Sequence, residues 1–246
     1  TPEQFKNEQL RLSEQVLSGR WTIHSERGKN VTGDDEQWPY IEFDVNTNKF
    51  YASNGCNILN GLFKVTSGQQ ISMTDIISSR RQCQESEFPD IDRQLPLVHS
   101  YSLEEQNNEY YLHLHNDRNI TVMTLRKHNM DYLNGPWVVT EINGQKCQNH
   151  DVRLVIDIPE GLIHGNTGSN ILNGKLYEDP VKTHSIQFHN IVTTRSTSQD
   201  LAAQATEMAL LIALEEVEYA KPGSHGSVKL LDKRNRTVLK LSPLNQ

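Results

Sequence analysis

The sequence lacks the features that mark several large classes of protein. It contains no apolar run of about eighteen residues, so no transmembrane helix is expected within it. Lysine and arginine form no basic cluster and the formal net charge is −7, which argues against a nucleic-acid-binding surface. Three cysteines are too few for a disulfide-rich scaffold, although they suffice for one bridge.

Signatures of catalysis and cofactor binding are also missing from the sequence. There is no Gly-x-Gly-x-x-Gly segment, no phosphate-binding P-loop, no His-Glu-x-x-His and no Gly-x-Ser-x-Gly. The composition, with 35% apolar and 22% charged residues, is that of a soluble globular protein. The sequence therefore predicts a non-enzymatic protein without a cofactor.

What the chain does contain is an internal repeat. The stretch SNGCNILNG at Ser53–Gly61 returns as NTGSNILNG at Asn166–Gly174. Further pairs keep the same order and nearly the same spacing: Leu17–Trp21 with Leu133–Trp137, Tyr40–Asp44 with Arg153–Asp157, Ser78–Gln84 with Thr193–Gln199, and Thr121–Lys127 with Thr237–Pro243. The pattern predicts a tandem duplication, with a leader or amphipathic helix over residues 1–16, a first domain over 17–128 and a second over 129–246.

Each copy is predicted to be a mostly β domain with one short helix. Alternating segments separated by Asn- and Gly-containing turns indicate about seven or eight strands per copy. The apolar residues whose spacing marks the helix are Leu201, Ala205, Met208 and Ile212 in copy two, behind Ser198 as candidate N-cap, and Phe88, Ile91 and Leu95 in copy one. The predicted fold class is mostly β (α+β), with two compact, antiparallel, barrel-like domains.

The order of these segments resembles the META domain of the HslJ heat-shock family. The matching residues in copy one are Leu17, Gly19, Trp21, Phe43, Asp44, Gly55, Cys56, Asn57, Gly61, Arg80 and Cys83. Those in copy two are Leu133, Gly135, Trp137, Asp157, Gly168, Asn170, Gly174 and Arg195. The resemblance implies a bacterial envelope protein, secreted or lipid-anchored, from a family without an established enzymatic activity.

The cysteines of copy one are lost together in copy two. Ser169 stands where Cys56 would be, and Ser198 stands where Cys83 would be. Joint loss is what a disulfide leaves behind, and we predict a bridge between Cys56 and Cys83 with Cys147 free. The alternative is two buried free thiols that changed separately. A bridge would indicate an oxidising compartment such as a periplasm.

Histidines are the first candidates for metal binding. His113 and His115 alternate with Leu112 and Leu114 along one predicted strand, so both imidazoles lie on the face opposite the leucines. The sequence ties no third ligand to this pair, and we predict an exposed strand face rather than a metal site. His184 and His189 flank another strand and are weaker candidates still.

Two further pairs of residues recur in both copies. Asp44 and Asp157 occupy equivalent positions in separate copies, which favours a turn role over a catalytic acid pair. Arg80 and Arg195 precede the predicted helices and are weak candidates for an anion site at a helix N-terminus. Pairing of each arginine with a carboxylate of its own domain is the more ordinary interpretation.

The repeated stretch itself is predicted to be structural. Its residues are Gly55, Asn57, Asn60 and Gly61, with the equivalents Gly168, Asn170, Asn173 and Gly174. Glycine suits positive φ or close backbone approach, and asparagine suits turns and side-chain bonds to the backbone. We therefore predict that all four asparagines bond to the backbone of their own domain, beside a buried Ile or Leu.

The expected function is that of a binding, scaffolding or stress-protective protein in the periplasm or at the outer membrane. We expect a monomer that binds an envelope protein or a small apolar ligand. We also expect a signal peptide or a lipidated cysteine upstream of Thr1. Two alternatives remain. One is a carrier that encloses a lipid or small apolar ligand, and the other is a metal-dependent hydrolase that uses the scattered histidines and aspartates.

Overall fold

The computed structural model of the chain describes residues 1–32, 38–83, 88–196 and 200–244. It divides into two compact units, Thr1–His128 and Asn129–Gln246. Each unit contains one antiparallel sheet with its own apolar core. The duplication inferred from the sequence is therefore present in the fold.

The sheet of the first unit has nine strands among the described residues. They are β1 (Gly19–Glu26), β2 (Lys29–Asn30), β3 (Tyr40–Asp44), β4 (Lys49–Ser53), β5 (Ile58–Val65), β6 (Ile71–Ser78), β7 (Ser100–Gln106), β8 (Glu109–His115) and β9 (Thr121–His128). The spatial order is β6-β5-β4-β3-β1-β9-β8-β7, with β2 paired to β1. Residues of β5 alternate strictly between exposed and buried, as expected for a strand with one face on a core.

The second unit repeats this topology strand for strand. Its elements are β10 (Gly135–Ile142), β11 (Gln145–Lys146), β12 (Arg153–Asp157), β13 (Leu162–Asn166), β14 (Ile171–Tyr177), β15 (Gln187–Thr193), β16 (Tyr219–Pro222), β17 (Val228–Leu231) and β18 (Thr237–Pro243). The order is β15-β14-β13-β12-β10-β18-β17-β16, with β11 paired to β10.

Each sheet curls so that its two end strands approach one another. In the first unit, the N–H of Ile71 donates to the carbonyl of His99 at 2.9 Å, beside the start of β7. In the second unit, the N–H of Ala220 donates to the carbonyl of His184 at 2.9 Å. Such bonds link the end strands of each sheet, β6 near β7 and β15 near β16, which gives each domain the curled, barrel-like form that the sequence predicted.

Equivalent tryptophans sit at the same place in both cores. Trp21 pairs in register with Ile41, and Trp137 pairs with Leu154. The indole Nε1 of Trp21 donates to the carbonyl of Leu17 at 2.9 Å, and that of Trp137 donates to Leu133 at 2.8 Å. Because the only polar atom of each buried indole is satisfied, the ring can contribute its full apolar area to the core.

The three α-helices differ in how they meet the sheets. Helix α1 (Pro2–Leu17) shows that the segment expected to be a leader or an amphipathic helix is helical, and it is capped at Thr1. The hydroxyl of Tyr101 anchors it by donating to the carbonyl of Ser13 at 2.8 Å. Helix α2 (Ile91–Gln94) is a single turn that continues into a 3-10 turn over Leu95–Leu97.

Helix α3 (Leu201–Glu216) corrects the prediction made from its apolar stripe. Leu201 and Met208 are 78% and 65% exposed, whereas Leu210, Ala213 and Leu214 are buried. The helix is apolar on most of its circumference, so periodicity alone does not identify the face that packs on the sheet. The N-cap is Asp200, whose carboxylate accepts from the N–H of Ala202 at 2.9 Å; Ser198, predicted for that role, lies outside the described residues.

Candidate functional site

The repeated stretch forms a tight turn that leads into β5. The side chain of Asn54 organises it, because its Oδ1 accepts from the N–H of Cys56 at 2.8 Å and from the N–H of Asn57 at 2.7 Å. Gly55 has φ +98°, a left-handed conformation that glycine adopts without steric cost. The turn therefore uses its small and amide residues to satisfy its own backbone.

Asn57 connects this turn to the end of β6. Its Oδ1 accepts from the N–H of Arg81 at 2.8 Å and from the hydroxyl of Ser79 at 2.9 Å. Its Nδ2 donates to the carbonyl of Arg81 at 3.4 Å and contacts Cys83 Sγ at 3.3 Å. We call Asn57, Ser79 and Arg81 the first asparagine clasp.

The second unit reproduces the clasp atom by atom. Asn170 Oδ1 accepts from the N–H of Ser196 at 2.8 Å and from the hydroxyl of Thr194 at 2.9 Å, and its Nδ2 donates to the carbonyl of Ser196 at 3.3 Å. Thr167 replaces Asn54 as the turn organiser, and Gly168 has φ +93°. Asn170, Thr194 and Ser196 form the second asparagine clasp.

A disulfide joins Cys56 to Cys83 beside the first clasp. The two Cα atoms lie 6.3 Å apart and the cysteines are 27 positions apart in the sequence. Closing a loop of this size stabilises the folded chain by roughly 3–4 kcal/mol on the chain-entropy account. Cys147 is a free thiol, as predicted, and lies half-buried with its Sγ 3.5 Å from the carbonyl of Asn149.

Glu207 of α3 supplies the second clasp with a partner that sequence reasoning missed. Its carboxylate accepts from the amide of Asn170 at 2.9 Å and 3.1 Å, and it also accepts from the hydroxyl of Thr167. The repeat gave no signal for this residue, because the equivalent contact in the first unit is made by a sulfur atom. Only the packing of α3 on the sheet brings Glu207 to the turn.

The remaining asparagines of the motif do not have the predicted role. The side chains of Asn60 and Asn173 are exposed on the outer faces of β5 and β14, and Asn173 Oδ1 pairs with Nδ1 of His164 at 2.6 Å rather than with backbone. Leu59 and Leu172 are buried, whereas the preceding isoleucines are exposed. The reason is strand alternation, which sends only every second side chain to the core.

The second glycine of each motif lies at a β-bulge. The strand register shifts at Gly61 in β5 and at Gly174 in β14, each opposite a residue with positive φ, Asp75 or Asn190. A Cβ atom on Gly61 would lie 2.7 Å from both Phe50 Cε1 and the carbonyl oxygen of Thr74. Close approach, rather than its own φ, is therefore what requires glycine here.

His113 and His115 lie on the outer face of β8, opposite the buried Leu112 and Leu114, as predicted. Each ring uses both nitrogens in hydrogen bonds. The partners of His113 are Thr124 Oγ1 at 3.0 Å and Glu104 Oε2 at 3.2 Å, and those of His115 are Ser102 Oγ at 2.8 Å and Thr121 Oγ1 at 3.1 Å. A metal would have to displace one of these bonds from each ring.

A buried acid–base pair lies on the neighbouring part of this face. Nδ1 of His128 contacts both carboxylate oxygens of Glu109, at 2.7 Å and 2.9 Å, and both side chains are almost fully buried. The two residues are cross-strand partners of β8 and β9, so the pair holds the hairpin in register. Burial, and secondarily the charge of Arg126, lower the pKa of nearby His24.

The recurring aspartates are turn residues. Asp44 Oδ1 accepts from the N–H groups of Asn46 and Thr47 at 3.0 Å and 3.3 Å, and Asp157 Oδ1 accepts from the N–H of Glu160 at 3.0 Å. The hydrogen bond with the Thr47 side chain is the main cause that lowers the pKa of Asp44. Both carboxylates close the loops that follow β3 and β12, and each lies in a different unit.

Arg80 and Arg195 do not meet a helix N-terminus of the kind predicted. Both side chains are exposed. Helix α2 is only one turn long, and the first turn of α3 already holds the carboxylate of Asp200 as its N-cap. An anion would compete with that carboxylate, so the geometry gives the anion-site hypothesis no support.

His184 and His189, the two candidates of the second unit, also contact neighbouring side chains. The hydroxyl of Tyr132 contacts His184 Nδ1 at 3.2 Å and donates to the carbonyl of Ala220 at 2.9 Å, and burial raises the pKa of this tyrosine. His189 Nε2 lies 2.9 Å from Gln187 Oε1. Within the four described ranges, no three His, Cys, Asp or Glu side chains are grouped so that they could hold a metal ion.

The fold and the duplicated clasp define a tandem pair of mostly β domains. The META domain family matches residues 14–129 and again residues 130–243, and the chain belongs to this family. The HslJ-like resemblance found in the sequence is consistent with this assignment. No protein of curated function and no solved structure shows a significant match to the chain. In the part of the chain that the structure describes, no helix has the length and apolar character needed to cross a membrane.

Proposed function

We propose that this chain is a non-enzymatic protein of the bacterial cell envelope whose two META domains act as binding or scaffolding modules. The observation that carries the proposal is the Cys56–Cys83 disulfide, which lies directly against the first asparagine clasp. Structural disulfides persist in oxidising compartments, of which the periplasm is the bacterial example. The function of the META family is itself uncertain, so membership supports the fold more strongly than an activity.

The polar residues considered for catalysis support a binding module over a hydrolase. His113 and His115 are held by hydroxyl and carboxylate partners, and Asp44 closes a turn. Catalytic groups converge on one concave site, whereas the recurring aspartates lie in separate units. Asp44 bonds to the backbone of its own turn, and the two histidines bond to side chains of the neighbouring strands.

The interior of the sheets supports a binding module over a carrier of apolar ligands. In the first unit, the side chains of Trp21, Phe43 and Phe50 are fully buried on the concave side. Phe43 also packs edge-to-face on Phe63, with ring centroids 5.2 Å apart. Aromatic rings thus occupy the region where a carrier would hold its ligand.

The envelope location is tested by trapping thiols in intact cells. Alkylation with a membrane-permeant reagent before lysis, followed by mass spectrometry of the envelope fraction, should label one cysteine per chain, Cys147, and all three only after reduction. In a Cys147→Ser variant, no cysteine should be labelled before reduction and two should be labelled after it. Recovery of the chain in the cytosol with three labelled cysteines would overturn the location.

The binding role is tested by cross-linking in the same cells. An amine-reactive cross-linker should convert part of the chain to a discrete heavier species in the envelope fraction. The purified protein, treated identically, should run as a monomer and serves as the control. Failure to obtain any heavier species in cells across a range of linker lengths would remove the scaffolding part of the proposal.

A further inference from the structure

In each asparagine clasp the Nδ2 group has a second N–H that can donate a hydrogen bond, and the two domains provide different acceptors for it. After the backbone carbonyl of Arg81 or Ser196 is satisfied, each Nδ2 has a second N–H to donate. In the first unit this donor meets Cys83 Sγ at 3.3 Å. In the second unit it meets the carboxylate of Glu207 at 2.9 Å.

In the first unit the sulfur belongs to a covalent cross-link. Cys56 lies in the turn before β5, and Cys83 lies just beyond the clasp residue Arg81. The disulfide therefore fastens the turn before β5 to a residue beyond the end of β6.

In the second unit the same turn is fastened by a carboxylate. Glu207 accepts from Thr167 and Asn170, both of which are buried, and it lies one helical turn before the core residue Leu210. The bond thus attaches the turn directly to a helix anchored in the core. A carboxylate has two oxygens that can accept several hydrogen bonds at once, and Glu207 accepts from both turn residues.

Ser169 stands where the first domain has Cys56, and it does not provide a contact in place of the disulfide. It occupies the position of Cys56, and its Oγ is buried without a hydrogen-bond partner among the described residues. A buried hydroxyl that makes no bond contributes nothing to fasten the turn. Its counterpart Ser198 lies outside the described residues. The stabilising contact at this point of the second unit therefore comes from Glu207.

We propose that the two META domains carry different fastenings at one point of the fold, so that a dithiol reductant loosens the first domain and leaves the second unchanged. The dithiol supplies two electrons and two protons to the Cys56–Cys83 bond and is itself oxidised to a disulfide, while Cys56 and Cys83 become thiols. Glu207 takes no part in that exchange. The chain thereby joins a domain that responds to a dithiol reductant to one that does not.

The loosening is expected to be local. The bonds of Asn57 to Arg81 and Ser79 contain no sulfur, so the β5–β6 pairing persists after reduction. The residues that lose their attachment to each other are Cys56 and Cys83. This inference does not depend on the envelope proposal, because the response belongs to the folded chain in any compartment that supplies a dithiol.

Hydrogen exchange on the full chain, with and without dithiothreitol, tests the inference. Reduction should raise exchange about tenfold at residues 54–56 and 82–83, beside the two cysteines, whereas the backbone held by the clasp and by the β5–β6 pairing should not change. Peptides covering residues 167–171 and 194–196 should not change. An increase in both domains, or in neither, would overturn the proposal.

Variants separate the two fastenings. Cys56→Ser/Cys83→Ser should show the fast exchange of the reduced protein and no further response to dithiothreitol. Glu207→Ala should raise exchange at residues 167–171 alone, with or without reductant, and Glu215→Ala, at an exposed glutamate of the same helix, is the matched control. Unchanged exchange in Glu207→Ala would show that the carboxylate does not fasten the turn. If the double serine variant does not fold, the wild-type measurement with reductant still decides the question.

Discussion

Asn57 and Arg81 are hydrogen-bonded to each other twice. The amide oxygen of Asn57 accepts from the backbone N–H of Arg81 at 2.8 Å, and its Nδ2 donates to the Arg81 carbonyl at 3.4 Å. A single side chain thus satisfies both polar backbone groups of a residue beyond the end of β6. Asn170 and Ser196 have the same relationship in the second domain. The duplicated stretch is therefore a support for the fold, which is the role predicted for Asn57 and Asn170.

Removal of the clasp amide should destabilise its own domain. Asn57→Ala is expected to lower the free energy of unfolding by about 0.5–1.5 kcal/mol, because it removes the side chain that bonds both the N–H and the carbonyl of Arg81. Asn60→Ala is the control, since that side chain is exposed on the same strand, and it should change stability by less than about 0.5 kcal/mol. Urea denaturation measures both. Equal midpoints for the two variants would contradict the structural role of the clasp.

The motif glycines at the bulges should respond unequally to alanine. A Cβ on Gly61 would meet Thr74 O and Phe50 at 2.7 Å, whereas one on Gly174 would meet its nearest atoms, of Ile163 and Ile191, at 3.1 Å. Gly61→Ala should therefore cost about 1–3 kcal/mol, and Gly174→Ala should cost less. Thermal melting of the two variants gives the comparison. The opposite order of midpoints would show that the bulges relax differently from the packing seen here.

The two faces of α3 should differ sharply in sensitivity. Leu214 is fully buried, so Leu214→Ala should cost about 2–5 kcal/mol. Met208 is 65% exposed, and Met208→Gln should change stability by less than about 0.5 kcal/mol. Chemical denaturation distinguishes the two outcomes. A large loss of stability in Met208→Gln with little loss in Leu214→Ala would show that the face predicted from the apolar stripe is the buried one.

Acid should destabilise the first domain through its histidines. Burial is the main cause that lowers the pKa of both His24 and His115 below the ordinary value of 6.5, and Arg126 or His113 adds to it. The folded state then binds fewer protons than the unfolded chain, so the stability these groups contribute is complete above about pH 6.5 and is lost as the pH falls through their lowered values.

The urea midpoint of the full chain should accordingly fall between pH 7.5 and pH 5. His115→Gln should make that fall shallower, because one of the two groups is removed. His150→Gln, at an exposed histidine of the second domain, serves as the matched control and should leave the slope unchanged. A slope in His115→Gln as steep as in the parent would exclude His115 as a contributor.

His113 and His115 should hold no stoichiometric metal. Both nitrogens of each ring are engaged with Thr, Ser or Glu oxygens, and coordination would break one such bond per ring. Elemental analysis of the purified chain after dialysis against zinc is expected to find far less than one equivalent. One zinc per chain that disappears in His113→Ala would refute this.

Much of the site could be predicted from internal comparison, because two copies in one chain reveal which residues a fold needs. Gly55 and Gly168 were retained since each adopts positive φ, and Leu59 and Leu172 were retained since each is buried. The same comparison misled at Asn60, where retention suggested a backbone contact but the side chain is exposed. A residue that is kept in both copies marks an important position, but it does not show which face of the strand the side chain occupies. That face depends on the strand register.

The sequence by itself determined the duplication, the mostly β class and the paired cysteines, because these follow from repeated local patterns and from the joint loss of two residues. Only the tertiary structure decided which face of α3 is buried and which residue replaces the disulfide. An apolar helix packs by whichever face the sheet leaves open to it, and that surface is built by strands distant in sequence. Glu207 reaches Asn170 for the same reason: 37 residues separate them, and only packing brings the carboxylate to the amide.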